Sequence, residues 1–348
     1  MKIPNEVAAA VDHGGSLGRA KALFPQAPEP FVDLSTGINP HSYPLFDMPA
    51  TALSRLPEQA RADELAAVAA AAYGVRSAAQ VVAAPGTQIL LPRVASLVEP
   101  GKARVLGPTY AEHARAAAIA GHRVEEVSRF EELRGADLAV VVNPNNPDGR
   151  VIERERLLGL AASLRVEGGL LVVDEAFMDV GPHEQSLAGD VGQGGIVVLR
   201  SFGKFFGLAG VRLGFALTGE AMASRLAAQF GPWAVAGPAL EYGILALGDT
   251  GWQDATRAVL RLQAARLDEL LGLHGVPVSG GTSLFRYIDF ERAGSLFLAL
   301  GERGILLRHF ADRPNVLRIG LPGVEEEWQR LGYALAAWSE TGRAGVNL

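Results

Sequence analysis

The 348-residue chain contains no cysteine, which excludes disulfides, thiolate metal sites and cysteine nucleophiles. It also lacks long apolar runs, since no stretch reaches the roughly 18 apolar residues that a membrane-spanning helix needs. The opening segment MKIPNEVAAAVDHGG has no apolar core of the kind found in signal peptides. These absences predict a cytoplasmic protein with no membrane partner and no metal site.

Concentrated positive charge is absent as well. Lysine and arginine number 32 against 38 aspartates and glutamates, the formal net charge is −6, and the basic residues are scattered. Nucleic-acid binding needs a concentrated positive face, so no nucleic-acid partner is expected. What the chain does have is a hydrophobic fraction of 49%, enough for a substantial core, and a length typical of one large and one smaller domain.

Short apolar runs alternate with alanine-rich segments that favour helix. Runs that are apolar throughout predict strands buried on both faces, and their alternation with helices predicts an α/β fold with a mainly parallel sheet. The runs lie at 80–86, 103–110, 137–147, 169–177, 195–204 and 212–219.

The pattern changes after about residue 235. Apolar residues at helical spacing are followed by shorter strand-like runs at 282–290, 304–310 and 315–320, which predict a smaller α+β domain. We therefore predict an N-terminal segment 1–45 that joins the small domain, a large cofactor-binding domain 46–235 and a small C-terminal domain 236–348.

Polar and functional residues follow the apolar runs repeatedly. In parallel sheets the ligand lies beyond the carboxyl ends of the strands, so these residues predict one site at one sheet edge. They are Gly86 with Thr87, Tyr110, Asn146, Asp174, and Ser201 with Lys204.

Lys204 stands between glycines and aromatic residues, where apolar surroundings would lower the pKa of its amine and make it reactive. Pyridoxal phosphate needs such a lysine, a carboxylate for its ring nitrogen, a phosphate cradle and groups that fix the ring. Asp174 supplies the carboxylate, while Asn146 and Tyr110 could fix the ring. Taken singly, each residue also has an ordinary structural explanation, such as a surface lysine, a helix cap or a turn.

The segment PGTQ at 85–88 predicts the phosphate cradle. Gly86 permits close backbone approach, and a helix that begins at Thr87 would offer unpaired amides. Ser201 and Arg212 would complete the cradle, with a charge-assisted contact from the arginine.

The motifs NPNNPDG, VVDEAF, SFGKFFGLAGVRLGF and LRIG resemble, in order and approximate spacing, those of the fold-type I pyridoxal-phosphate enzymes of the class I/II aminotransferase family. The resemblance implies a seven-stranded sheet, a homodimer, and pyridoxal phosphate held by the residues named above. It also implies that Arg318, in LRIG, binds the substrate α-carboxylate in a bidentate manner that lysine could not reproduce.

Within that family, DHGGSLG and FVDLSTGINPHSYP resemble the opening of the cobalamin-biosynthetic threonine-phosphate decarboxylases. The implied reaction converts O-phospho-L-threonine, a small phosphorylated amino acid, to aminopropanol phosphate and carbon dioxide. A second anion site would hold the substrate phosphate, with His13, Asn39 and Arg308 as candidates. Two departures are Phe177 and Leu56, where many relatives have tyrosine.

The main alternative is an aminotransferase acting on histidinol phosphate or a similar phosphorylated amino compound. The sensor half of a transcription regulator is disfavoured by the acidic charge balance. A dinucleotide-binding protein is disfavoured because GDVGQGG, at 189–195, precedes a strand, whereas a dinucleotide fingerprint follows one.

Overall fold

A computed structural model of the chain describes residues 14–344, and the side chains of residues 14–340. The chain divides into two compact units. Among the described residues, the first unit consists of Ser42–Asn146 and Arg150–Gln253. The second unit consists of 14–41, Pro147–Gly149 and 254–344.

The helices and strands are numbered here in chain order. The helices are α1 (Leu17–Leu23), α2 (Thr51–Ser54), α3 (Gln59–Tyr73), α4 (Thr87–Ala95), α5 (Glu112–Ile119), α6 (Arg154–Val166), α7 (Phe202–Phe205), α8 (Glu220–Ala228), α9 (Gly237–Gly248), α10 (Thr250–Leu273), α11 (Ala293–Gly301) and α12 (Glu325–Ala344). The strands are β1 (Val32–Leu34), β2 (Val81–Ala84), β3 (Lys102–Leu106), β4 (Arg123–Val127), β5 (Leu138–Val142), β6 (Leu170–Asp174), β7 (Ile196–Ser201), β8 (Gly214–Thr218), β9 (Gly280–Thr282), β10 (Phe285–Asp289), β11 (Ile305–Phe310) and β12 (Arg313–Gly320). Within residues 14–344, no helix combines the length and the apolarity that crossing a bilayer requires.

The first unit is built on a seven-stranded sheet of order β2-β8-β7-β6-β5-β3-β4. Strands β7, β6, β5, β3 and β4 pair in parallel, and β8 is antiparallel to both of its neighbours. Every residue of β5 and β6 is buried, because helices cover the sheet. The predicted mainly parallel α/β sheet is confirmed.

The strand ends that matter for function meet at one edge of this sheet. Gly214, at the start of β8, is in register with Ala84 at the end of β2 and with Ser201 at the end of β7. The parallel strands β3, β5 and β6 end at the same edge. The residues that follow these strands are therefore neighbours in space.

Two features of the first unit differ from the sequence pattern. Strand β4 is mostly exposed and carries Glu125 and Glu126, so no apolar run marks it, yet it pairs in parallel with β3 at the sheet edge. The unit also extends to Gln253, past residue 235, because α9 packs on α3.

The second unit contains a five-stranded sheet of order β1-β11-β12-β10-β9. Strand β1, from the N-terminal part of the chain, pairs in parallel with β11, and the other pairs are antiparallel. The runs at 282–290, 304–310 and 315–320 correspond to β10, β11 and β12. In this sheet Arg308 lies directly opposite Arg318.

Candidate active site

Lys204 lies in the one-turn helix α7, immediately after β7, and is half-buried. Its neighbours Phe205 and Phe206 are buried and pack on Trp252, with ring centroids 5.5 and 5.8 Å away. The Nζ atom of Lys204 lies 6.0 Å from the centroid of the Phe177 ring. The Lys204 amine therefore lies at the sheet edge beside a cluster of aromatic side chains.

Asp174 is the last residue of β6 and is 6% exposed. Its Oδ2 atom is 2.8 Å from Nε2 of the buried His113, and its Oδ1 atom accepts a hydrogen bond from the backbone N–H of Ala176 at 3.0 Å. Such donors are needed because an unpaired buried carboxylate is costly. When Nε2 of His113 carries the proton, it donates this hydrogen bond to Asp174.

The loops after β3 and β5 are fastened to each other by Asn145. Its Nδ2 donates to the carbonyl of Pro108 at 3.0 Å, and its Oδ1 accepts from the hydroxyl of Thr109 at 2.7 Å. Tyr110 and Asn146 are the next residues of the two loops. Both predicted ring-fixing groups are thus held at neighbouring points of the same edge.

The predicted phosphate cradle comes together at the start of α4. A Cβ atom on Gly86, whose φ is +86°, would lie 2.5 Å from Nη2 of Arg212, so glycine lets the guanidinium approach the loop. Arg212 itself has a φ of 55°, which is rare for a residue with a side chain. A Cβ on Gly214 would lie 2.6 Å from the backbone nitrogen of Thr87, and Ser201 lies opposite Gly214. A helix N-terminus, a hydroxyl and a guanidinium are groups that bind anions in proteins, and the role of these residues as a phosphate cradle stays a prediction.

In the second unit, Arg318 is 7% exposed and donates from Nη2 to the backbone carbonyl of Ser35 at 2.8 Å. Burial and then the positive charge of Arg308 lower the pKa of Arg318 to about 10, and Asp33 partly opposes this shift. Two arginines are thus carried at paired positions of neighbouring strands. Paired cations of this kind favour the binding of an anion.

The other predicted substrate residues belong to the N-terminal part of the second unit. Asn39 is buried, and its Oδ1 accepts from the backbone N–H of His41 at 2.8 Å. The glycines that follow His13 pack on Ser35, whose hydroxyl accepts from the N–H of Gly15 at 2.7 Å. His13 lies outside the described residues, and the roles of Asn39 and His13 stay predictions.

The structure thus brings one set of predicted residues to a single edge of the first unit and places another set in the second unit. The first set is Gly86, Thr87, Tyr110, Asn146, Asp174, Ser201, Lys204 and Arg212, and the second is Arg308, Arg318 and Asn39. The sequence reasoning missed His113 and Asn145. The spacing of three residues between Tyr110 and His113 is the only local signal for the histidine, since its partner Asp174 lies 61 positions away.

Comparison with known proteins assigns this arrangement to a family. Residues 51–332 match the family model described as aminotransferase class I and II. The chain belongs to this family. The resemblance inferred from the motifs is therefore confirmed.

Relatives within the family differ in how much of the chain they match. A threonine-phosphate decarboxylase of Pseudomonas aeruginosa is 44% identical over 333 residues, which cover 95% of this chain and 98% of that protein. A histidinol-phosphate aminotransferase of Vibrio parahaemolyticus is 29% identical over 256 residues, which cover 69% and 73%. The structure of histidinol-phosphate aminotransferase from Sinorhizobium meliloti in complex with pyridoxal-5′-phosphate gives a TM-score of 0.79 at 19% identity and covers 98% of each chain. At that identity it shows the fold.

Proposed function

We propose that the chain is a pyridoxal-phosphate-dependent decarboxylase that converts O-phospho-L-threonine to aminopropanol phosphate and carbon dioxide. The observation that carries the proposal is the 44% identity to a threonine-phosphate decarboxylase over nearly the full length of both proteins. The similarity to histidinol-phosphate aminotransferase is lower and covers less of the chain.

The first unit fits the phosphate of the proposed cofactor. The Arg212 guanidinium can approach Gly86 only because this residue has no Cβ, and it therefore lies at the loop that precedes α4. The amide of Thr87 at the start of α4 and the hydroxyl of Ser201 are the other groups that would hold the phosphate.

The remaining groups at the edge fit the cofactor ring. Asp174 would keep a proton on the ring nitrogen, Asn146 would donate to the ring oxygen and Tyr110 would stack on the ring. Lys204 would hold the cofactor covalently. When bound, pyridoxal phosphate supplies an electron sink for the bond broken at the substrate Cα.

The second unit supplies groups for the two anionic ends of the substrate. Arg318 would bind the α-carboxylate with both arms of its guanidinium, and Arg308 would bind the phosphate. Asn39 and His13 are assigned to the same task. The cross-strand pairing of Arg308 with Arg318 supports this role, because it carries two cations at neighbouring positions where an anion could bind both.

Reaction choice depends on which bond at Cα is held in the reactive orientation. Contacts to the phosphate and carboxylate would fix the Cα torsion with binding energy from groups that do not react. The carboxylate would leave as carbon dioxide. Nζ of Lys204, freed from the cofactor when the substrate amine takes its place, would give Cα the proton that replaces the carboxylate.

The test is a product analysis by mass spectrometry of the protein incubated with pyridoxal phosphate and O-phospho-L-threonine. We expect aminopropanol phosphate without any keto-acid acceptor. The alternative, an aminotransferase for histidinol phosphate or a similar compound, requires an acceptor and releases no carbon dioxide. If the protein turns over histidinol phosphate with 2-oxoglutarate but does not turn over O-phospho-L-threonine, the proposal is wrong and the protein is an aminotransferase.

Replacing Lys204 tests the role of its amine. Lys204→Ala should abolish the absorbance of covalently held cofactor and lower turnover by at least about 10³-fold, because the covalent attachment and the proton donor are lost together. Lys102→Ala is the matched control. Lys102 is also half-buried but begins β3, whereas the candidate site lies where β3 ends, so this variant should retain the absorbance and the turnover. Retained turnover in Lys204→Ala would remove the lysine from the mechanism.

We also propose that the protein is a cytoplasmic homodimer that acts in cobalamin biosynthesis, as the family resemblance implies. Large apolar side chains of the first unit support a protein partner because they are exposed: Leu45, Leu53, Leu56 and Trp233. Light scattering should give twice the chain mass of 36.7 kDa, whereas a mass equal to one chain would exclude the dimer.

A further inference from the structure

Gln88 lies next to the proposed phosphate cradle but has no role in the mechanism described above. It is the second residue of α4, directly after Thr87, and its side chain is exposed. An exposed glutamine at this place needs no explanation by itself. Its two side-chain hydrogen bonds are what distinguish it.

The amide of Gln88 connects two residues of different character. Its Nε2 donates to Oε2 of Glu112 at 2.7 Å, and its Oε1 accepts from the hydroxyl of Tyr110 at 3.1 Å. Glu112 is 3% exposed, begins α5, and also accepts from Nη1 of Arg115 at 3.1 Å. The carboxylate of Glu112 therefore accepts hydrogen bonds from two side chains.

Glu112 determines which group donates and which accepts in the two hydrogen bonds of the Gln88 side chain. A charged carboxylate can only accept, so the NH₂ group of Gln88 must face Glu112. The amide oxygen is then left to face Tyr110, whose hydroxyl must donate to it. The Tyr110 oxygen is therefore held at one point by a directional bond.

A second contact restrains the Tyr110 ring itself. The ring of His113 packs edge-on against it, with centroids 5.9 Å apart and planes at 84°. His113 also contacts Asp174. The orientation of the Tyr110 ring is thus restrained by two contacts, the hydrogen bond to Gln88 and the ring of His113.

We propose that Gln88 is a positioning residue, oriented by the buried Glu112, that fixes the plane of the Tyr110 ring for stacking on the cofactor. This inference rests on the proposed function, because it needs a cofactor at the sheet edge. Gln88 would connect the phosphate cradle at the start of α4 with the ring platform after β3. Its effect appears in how firmly cofactor is held.

The first experiment measures the release rate and dissociation constant of pyridoxal phosphate from its absorbance in the full-length protein. Gln88→Leu removes both hydrogen bonds at similar volume and should weaken cofactor binding about 5-fold, within the range of one to two neutral hydrogen bonds. Gln193→Leu is the matched control, since Gln193 is also exposed and its amide donates to a carboxylate, that of Asp190 at 3.0 Å. The control should bind cofactor as the unaltered protein does.

The second experiment is a rescue that a merely structural role would not show. Gln88→Glu alone places a carboxylate against Glu112 and should weaken cofactor binding by about 10-fold or more. Adding Glu112→Gln restores one donor and one acceptor at each contact, because the new amide can donate to position 88 and still accept from Arg115. The double variant should recover to within about 2-fold of the unaltered protein.

The outcomes separate this inference from the proposed function. If the unaltered protein binds pyridoxal phosphate but Gln88→Leu binds it equally well, or the double variant is no better than Gln88→Glu, the positioning role is wrong and the proposed function stands. If the unaltered protein binds no pyridoxal phosphate, both are wrong. Thermal unfolding of each variant without cofactor checks that the variant is folded at the temperature of the binding measurement.

Discussion

Arg200 in the first unit and Arg318 in the second are both buried strand residues, 4% and 7% exposed, yet their surroundings are opposite. Arg200 donates to Glu175 at 3.0 Å and to Asp179, and its guanidinium lies 4.4 Å from the centroid of the Tyr73 ring. Burial alone would lower the pKa of Arg200, but Asp179 and Glu175 raise it above its ordinary value.

Arg318 faces Arg308 across the strand pair and donates to the backbone carbonyl of Ser35. Burial and the charge of Arg308 lower the pKa of Arg318, and the charge of Asp33 opposes this shift. A buried cation beside carboxylates of its own fold balances their charge, whereas a buried cation opposite a second cation favours the binding of an anion. Burial alone does not distinguish the two roles, and the neighbouring charges do.

The largest effect is expected on catalysis when Arg318 is changed. Arg318→Gln removes the fork that would bind the substrate α-carboxylate and should lower kcat/KM about 10³-fold, from the loss of two charge-assisted hydrogen bonds. The free energy of unfolding should fall by less than after the Arg200 substitution described below, because burial and the like charge of Arg308 both disfavour the charged form of Arg318. Steady-state kinetics and urea unfolding measure the two quantities.

Arg318→Lys is the control for charge without the fork, and it should recover only part of the lost kcat/KM. A loss of stability in Arg318→Gln as large as that expected below for Arg200 would make both arginines structural and end the distinction.

The same substitution at Arg200 should act on stability. Arg200→Gln leaves Glu175 and Asp179 buried without their cation, and we expect a loss of about 3–5 kcal/mol in the free energy of unfolding. The urea midpoint should fall, while folded enzyme under stabilising conditions keeps its KM for the substrate. A variant as stable as the unaltered protein would show that Arg200 is not needed to balance the two carboxylates.

A smaller effect is expected from pH. Below pH about 10, Arg318 is protonated and can bind an anion; above it, the free protein progressively loses this charge. A suitable probe is 3-phosphoglycerate, which has a carboxylate and a phosphate but no amino group that titrates in this range. Its affinity should be constant from about pH 8 to 9 and fall about tenfold per pH unit above pH about 10. Inhibition constants measured across this range test the expectation.

Arg308 provides the comparison within that experiment. Arg308→Gln removes the like charge that lowers the pKa of Arg318, so the decline in affinity should move to higher pH, although binding is weaker throughout. A decline at unchanged pH would mean that Arg308 does not act on Arg318.

Much of the first unit could be predicted from the chain alone. The segments 137–147 and 169–177 each contain an apolar run because their strands are buried on both faces, so the strand positions and the sheet edge could be predicted from the sequence. Strand β4 could not, since an exposed edge strand has no such constraint and carries Arg123, Glu125 and Glu126.

The candidate site shows the same division. The residues that follow each buried strand could be identified from the sequence. They were expected to lie close together because parallel strands end at the same edge of a sheet. Lys204, Asp174 and Asn146 were predicted in this way. Their assigned roles await the experiments above.

The contacts between side chains far apart in the chain could not be predicted from the sequence. His113 contacts Asp174 across 61 positions, Gln88 contacts Glu112 across 24, and the register of β11 with β12 places Arg308 opposite Arg318. Local periodicity records whether a residue is buried, but a partner far along the chain depends on how helices and strands pack. For that reason two buried arginines that look alike in the sequence have opposite electrostatic surroundings in the fold.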